Sequence, residues 1–232
     1  MKIAILSDIH SNKFALQAAM KKLSEIEVDY YIFLGDYFGY YPWARACFDF
    51  LQSINDKAFY IIGNHDAQLL LEQPLLKKPE YWEVLVKNKQ ELPIEAITWL
   101  KSLKTMKRLQ LDGLNFTLCH GTPDDPLNGR FYPDNGEHYN WFPAEGEVLL
   151  MGHTHYRLLK KIKNGGLIIN PGSIGQPRLI GEKPSFVIFD TLKNTTNFIE
   201  IDYDISKVIA HLEEIKWYPR AIEVLKRYNQ AL

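Results

Sequence analysis

Short apolar runs alternate with amphipathic stretches through the first sixty residues, and each run halts at a glycine or an acid. Lys2–Ser7 (KIAILS) has strand length and stops at Asp8. Over residues 11–26, Phe14, Leu16, Ala19, Leu23 and Ile26 recur near helical spacing, with Ser11 or Asn12 available to cap the first turn. Tyr30–Leu34 ends at Gly35-Asp36 and Ala58–Ile62 ends at Gly63-Asn64, with a helix predicted over Trp43–Ile54 between them. This order of strands and helices predicts a parallel sheet with crossover helices.

Residues 66–103 read as helical, punctuated by Pro74, Pro79 and Pro93. The pattern then turns to strands. Met106–Leu111 and Leu114–Cys119 flank Asp112-Gly113, a two-residue hairpin signal of type I′. Val148–Met151, Arg157–Ile162, Leu167–Ile169, Phe186–Phe189 and Phe198–Ile201 follow, and helix returns from Ile205 to about Tyr228. With no repeat, low-complexity tract or linker, residues 1–232 read as one α/β domain of two packed sheets with helices outside. The stretch 121–144 has little periodicity and exceeds an ordinary connection. It carries Asp124, Asp125, Arg130, Tyr132, His138 and Trp141, and reads as a lid over a site or as a surface excursion.

Composition narrows the function classes. The 27 Lys+Arg against 28 Asp+Glu give a net charge of -1, so there is no global positive field to gather nucleic acid or an anionic membrane. Two cysteines, Cys47 and Cys119, are too few for a disulfide scaffold or a thiolate metal site. No run approaches the ~20 apolar residues of a membrane span, and the chain reads as cytoplasmic. Aromatic residues make up 13% and crowd 37–43 and 131–142, which fits a ligand groove, a homo-oligomer contact or core packing.

The candidate chemistry lies at strand ends. Asp8-Ile9-His10, Gly35-Asp36, Gly63-Asn64-His65-Asp66, His120-Gly121 and Gly152-His153-Thr154-His155 each follow a predicted strand. Ligands of such sheets bind beyond the carboxyl ends of the strands, so these five motifs are expected on one rim. The donors are imidazole nitrogen with carboxylate or amide oxygen and no sulfur, which suits Mn, Fe or Zn better than Mg or Ca. They outnumber the needs of one ion and match two ions about 3.5–4 Å apart sharing a carboxylate. Taken singly, Asp8 or Asp66 also reads as a helix cap, and Gly-Asp or Gly-Asn as a turn.

The ordered set of motifs resembles that of the calcineurin-like metallophosphoesterase superfamily. NPGSIGQPR at 170–178 and GDYFGYYP at 35–42 further resemble its small bacterial and archaeal phosphodiesterase branch. The resemblance extends from residue 1 to about 190 and implies a four-layer α/β sandwich around two divalent metals, with Mn, Fe or Zn expected and Ni or Mg as substitutes. It implies that Asp8, His10 and His155 hold one metal, that Asn64, His120 and His153 hold the other, and that Asp36 bridges them. His65 is then the group that steadies the transition state or protonates the leaving oxygen, with Asp66 orienting its imidazole. The implied reaction is in-line attack of a metal-bridging hydroxide on a small phosphodiester or nucleotide. Rival functions are a nuclease on single-stranded nucleic acid and a non-catalytic interaction scaffold of the same fold. Protein phosphatases of the superfamily carry an arginine soon after the Gly-Asp motif, whereas Tyr37-Phe38-Gly39-Tyr40 stands here. Arg178 or Arg130 is therefore the expected phosphate clamp, each reading equally as a surface arginine, and Asn12 either contacts a phosphoryl oxygen or caps its helix.

Overall fold

The structure is a computed structural model describing residues 1–72, 79–135, 139–163 and 165–228; Pro74 and His138 lie outside the described residues. Its strands are β1 (Lys2–Leu6), β2 (Tyr30–Phe33), β3 (Ala58–Tyr60), β4 (Met106–Leu111), β5 (Leu114–Cys119), β6 (Glu147–Leu150), β7 (Arg157–Lys161), β8 (Leu167–Pro171), β9 (Ser185–Asp190) and β10 (Thr195–Glu200). Its α-helices are α1 (Lys13–Ser24), α2 (Ala44–Ser53), α3 (Asn64–Leu69), α4 (Pro79–Glu91), α5 (Ile94–Ser102), α6 (Ile205–Glu214) and α7 (Pro219–Tyr228).

The strands form two mixed five-stranded sheets, ordered β10-β9-β1-β2-β3 and β4-β5-β6-β8-β7. In the first, β1, β2 and β3 run parallel and β9 and β10 antiparallel; in the second, β5, β6 and β8 run parallel. The expected hairpin forms with Leu111 opposite Leu114, and Asp112 (φ 50) and Gly113 (φ 80) supply the two positive φ values of a type I′ turn.

Alternation along β1 explains how the layers stack. Ile3 and Ile5 point to the interface between the sheets, where they meet Phe116, Leu118, Val148 and Ile169. Ala4 and Leu6 point the other way, into the layer built by α1, α2 and α5 through Leu16, Phe48 and Leu100. The two mixed sheets flanked by helices match the expected architecture, and the outer face of the second sheet is covered differently. There Phe131, Tyr139, Trp141 and Phe142 pack on Cys119, Leu149, Met151, Leu158 and Ile168. The aperiodic stretch after His120 thus takes the place of a helical layer, and Phe131 is 2% exposed.

The helix expected from Ile205 to Tyr228 is two helices. Pro219 has no N–H and clashes with a preceding turn, so the chain breaks after Glu214, with Lys216 at φ 50. The break lets Trp217 Nε1 donate to Tyr40 O at 2.7 Å, while α6 and α7 pack around Tyr41 and Trp43.

Cys47 and Cys119 are both fully buried, and burial pushes the Cys119 thiol up to about 12 and Cys47 higher still. Neither thiol is therefore expected to react with a disulfide reagent such as DTNB in the folded protein at pH 8, and both should react in denaturant. Rapid titration of either thiol in native buffer contradicts this packing.

Candidate metal centre

The loops leaving β1 and β2 run side by side. Asp8 N donates to Gly35 O (3.1 Å), His10 N to Asp36 O (2.9 Å) and Ser11 N to Tyr37 O (2.8 Å), so pairing continues beyond the strands. Asp8 (φ 57), His10 (φ 52), Asp36 (φ 56), His153 (φ 63) and His155 (φ 64) all take the left-handed backbone region. That region costs a non-glycine residue about 1 kcal/mol or more, and its concentration in these loops marks a place where the backbone is bent to aim side chains. Two glycines make the close approach possible. A Cβ on Gly63 would lie 2.2 Å from Asp36 Oδ1, and one on Gly152 would lie 2.2 Å from Ser7 Oγ.

The aimed side chains converge. Asp8, His10 and His155 form one group with metal-ligand spacing; Asp36, His120 and His153 form another, and His65 forms a third with His10 of the first and Asp36 of the second. Asn64 Oδ1 is 3.0 Å from His120 Nε2. All seven residues expected to hold metal are thus brought together with His65. Each central carboxylate has one oxygen tied and one bare. Asp8 Oδ2 accepts from Ser7 Oγ (2.6 Å) and His153 N (3.2 Å), and Asp36 Oδ1 accepts from His65 N (2.8 Å). Asp8 Oδ1 and Asp36 Oδ2 are buried without a hydrogen-bond donor.

The imidazoles face these bare oxygens with lone pairs. His120 Nδ1 lies 2.7 Å from Leu34 O, His155 Nδ1 lies 2.5 Å from Gln176 O, and His10 Nδ1 lies 3.4 Å from Phe38 O. A carbonyl can only accept, which assigns the proton to Nδ1 and the lone pair to Nε2. Yet His155 Nε2 is 3.0 Å from Asp8 Oδ1, His120 Nε2 is 3.2 Å from Asp36 Oδ2, and His10 Nε2 is 3.1 Å from His155 Nε2. Acceptors face acceptors in a site closed to water, an arrangement that demands cations or extra protons. Divalent cations fit this donor set.

Without a cation, protonation carries the load. Burial lowers His120, but the adjacent Asp36 carboxylate outweighs it and lifts the imidazole to about 9. Burial raises Asp8 and Asp36, but His155 for the first and His120 for the second outweigh it and hold both below the usual carboxylate range. Burial and the charge of His120 bring His153 down to about 4; burial brings His65 down to about 3.

Asp66, expected to orient His65, does something else. Its carboxylate accepts from the backbone N–H of Asp36 (2.8 Å), Tyr37 (2.9 Å), Phe38 (3.1 Å) and Gly63 (3.1 Å), stapling the β2 and β3 loops together. The partner at His65 Nδ1 is Tyr81 Oη. Asn12 is occupied with structural hydrogen bonds. Its Oδ1 caps α1 through Ala15 N (3.1 Å), and its Nδ2 donates to Gly175 O and Tyr203 Oη (both 3.1 Å), so both ends of the amide are engaged. The cap, one of its two expected roles, is present.

A cleft of about 710 Å³ opens over the centre, lined by His65, His153 and His155, by Tyr40, Tyr132 and Tyr156, and by Arg130, Arg178 and Arg220. No carboxylate is among the described residues lining it. Arg130 Nε donates to His153 Nε2 at 3.2 Å, and Arg178 Nε lies 3.2 Å from His155 Nδ1. That nitrogen already donates to Gln176 O, so the Arg178 guanidinium stands beside the imidazole without a bond to it. Both expected clamps therefore border the site. Trp141 does not; it is in the layer behind the second sheet. Tyr81, Tyr218 and Arg220 were not foreseen, because they reach the cleft from α4, from the break before α7 and from the first turn of α7, where no local motif announces them.

The family model of the calcineurin-like phosphoesterase superfamily domain matches residues 1–194, and the chain belongs to that family. An uncharacterized protein of Methanocaldococcus jannaschii is 27% identical over 222 residues, covering 88% of this chain and 89% of that protein. The crystal structure of a metallophosphoesterase from Sphaerobacter thermophilus superposes with a TM-score of 0.77 at 25% identity, over 98% of this chain and 99% of that one. A hypothetical protein from Pyrococcus horikoshii OT3 shares the fold with a TM-score of 0.82 at 23% identity over 97% of each chain. The chain is accordingly a phosphoester hydrolase of the metal-dependent class.

Protonation of the centre gives the metal-free protein a defined pH profile. His65 and His153 sit below their ordinary 6.5, so the unfolded chain takes up their protons first and stability falls as pH drops below about 6.5. His120 sits above 6.5, so its contribution is complete below pH 6.5 and is lost as pH rises to about 9. In chelator, the thermal midpoint should peak near neutrality and fall on both sides. A midpoint that climbs steadily from pH 6.5 to 9 contradicts the pairing of His120 with Asp36.

Proposed function

We propose that the protein is a binuclear metal-dependent phosphoesterase acting on a small phosphodiester or nucleotide. In this reading Asp8, His10 and His155 would hold one divalent cation, Asn64, His120 and His153 would hold a second, and Asp36 would be shared by both. The observation that carries it is the opposition of imidazole lone pairs to donorless carboxylate oxygens at Asp8 and Asp36. Mn, Fe or Zn suits a set of imidazole nitrogen and carboxylate oxygen without thiolate. Such ions, when bound, supply a nucleophile from water at neutral pH and neutralise charge on the phosphoryl oxygens.

The remaining roles follow from position. His65 borders the cleft, where it can hydrogen-bond a phosphoryl or leaving oxygen. Arg130 and Arg178 flank the centre from opposite segments, suited to non-bridging oxygens of the phosphate. Tyr40, Tyr132 and Tyr156 offer faces and hydroxyls to the organic group. Arg130 and Tyr132 face the cleft while Phe131 between them is anchored behind the second sheet, which supports a fixed wall that selects substrate. A cleft of about 710 Å³ is in the size range of small-molecule sites, and the net charge of -1 disfavours a polynucleotide.

Asp36→Asn should lose at least one ion per chain by metal analysis and nearly all activity on bis(p-nitrophenyl) phosphate with Mn. His65→Ala should keep both ions and slow turnover by about 10²–10⁴. Retention of two ions and activity in Asp36→Asn overturns the assignment. A nucleotide and oligonucleotide panel, run across salt concentrations, separates the small-substrate reading from a nuclease.

A further inference from the structure

Five imidazoles meet at the centre, and the Nδ1 partners of four of them divide these into two kinds. His10, His120 and His155 each turn Nδ1 toward a backbone carbonyl, and His65 turns Nδ1 toward the phenol of Tyr81. By spacing alone His65 would pass as a ligand, since it forms a group with His10 and Asp36. A carbonyl forces the proton onto Nδ1, whereas a phenol can donate. A phenol O–H facing an imidazole nitrogen is a better donor than acceptor, and accepting that bond at Nδ1 leaves the ring proton on Nε2.

We infer that Tyr81 is a positioning residue that fixes His65 as an Nε2–H donor toward the substrate and so keeps it from serving as a metal ligand. The pairing is built in at both ends. Tyr81 is buried at 4% exposure, and its ring is held against those of Tyr40 (5.2 Å) and Tyr218 (6.2 Å). The space it fills is kept open by Gly39 at φ 106, where a Cβ would come within 2.8 Å of Tyr81 Oη and 3.3 Å of His65 Nδ1. Asn88, two turns along α4 from Tyr81, ties that helix to the same loops. Its Oδ1 accepts from Gly39 N (2.8 Å) and Ser11 Oγ (2.7 Å), and its Nδ2 donates to Tyr41 O (3.0 Å). The helix that supplies the phenol is thus fixed to the loop that makes room for it. What the Nε2–H donates to depends on the phosphoesterase reading above; where the ring proton sits does not.

A neutral imidazole of this tautomer lends a hydrogen bond to the charge that builds on a phosphoryl or leaving oxygen and keeps its proton. The test is long-range 1H–15N correlation of the histidine rings in the full chain, in chelator and again with Zn, with His65 assigned by its loss in His65→Ala. Wild type should show His65 protonated at Nε2, and Tyr81→Phe should shift it toward the Nδ1–H form. Tyr81→Phe should also keep its metal ions, lower kcat on bis(p-nitrophenyl) phosphate roughly tenfold with KM unchanged, and cause no further loss in the His65→Ala background. A wild-type His65 protonated at Nδ1 overturns the inference, as does a Tyr81→Phe loss that persists in full on top of His65→Ala. If wild type hydrolyses no phosphoester while His65 carries its proton at Nε2 in a Tyr81-dependent way, the proposed function fails and this inference stands.

Discussion

Two carboxylates and three imidazoles are closed off from water with their lone pairs turned toward one another, and the rest of the molecule serves to hold them so. Asp8, Asp36, His10 and His120 are at 0% exposure. Left alone, such a set would swell open or neutralise itself with protons, because desolvation and repulsion act in the same direction. The surrounding structure prevents the first outcome. The β1 and β2 loops are laced together by backbone bonds, Asp66 ties four further N–H groups across the β2 and β3 loops, and carbonyls lock the rings at Nδ1. Left-handed backbone at Asp8, His10, Asp36, His153 and His155 is a further cost, offset by the apolar contact between the sheets. Cation binding would relieve the opposition, and metal loading would then add directly to the stability of the fold.

The layers decide what surrounds the centre. Helices cover the first sheet, and α4 brings Tyr81 and Asn88 onto the metal-side loops. The second sheet is covered by an aromatic stretch whose cleft edge carries Arg130 and Tyr132. The break between α6 and α7 supplies Tyr218, and the first turn of α7 supplies Arg220. Three arginines and no carboxylate among the described lining residues make the cleft a place for anions, while the metal side remains acid and imidazole.

What the sequence made legible was what is local. Asp8, Asp36, Asn64, His120, His153 and His155 each follow a strand directly, so strand recognition and the rule of carboxyl-end sites were enough to group them. The type I′ hairpin at Asp112-Gly113 was equally plain, since both positions need positive φ. Features that depend on distant partners were hidden. Asp66 read as a partner for its neighbour His65, but its oxygens face backbone N–H groups some thirty positions earlier in the chain, at Asp36 to Phe38. Tyr81 lies on a helix whose docking no pattern specifies. Trp141 belongs to an aromatic stretch that fits a groove, an oligomer contact or core packing equally, because composition cannot say which side of a sheet a loop covers. Pro219 was visible as a helix breaker in principle, yet the apolar spacing on both sides suggested one continuous helix.

The central proposal is that Asp36 would be shared by two cations in one buried centre. Electron paramagnetic resonance of the protein reconstituted with Mn(II) tests it most directly, because two ions sharing a carboxylate couple magnetically. The account predicts an exchange-coupled spectrum at two ions per chain, replaced in Asp36→Asn by that of isolated Mn(II). Saturation at one ion per chain with an uncoupled six-line spectrum in the wild-type protein would contradict it.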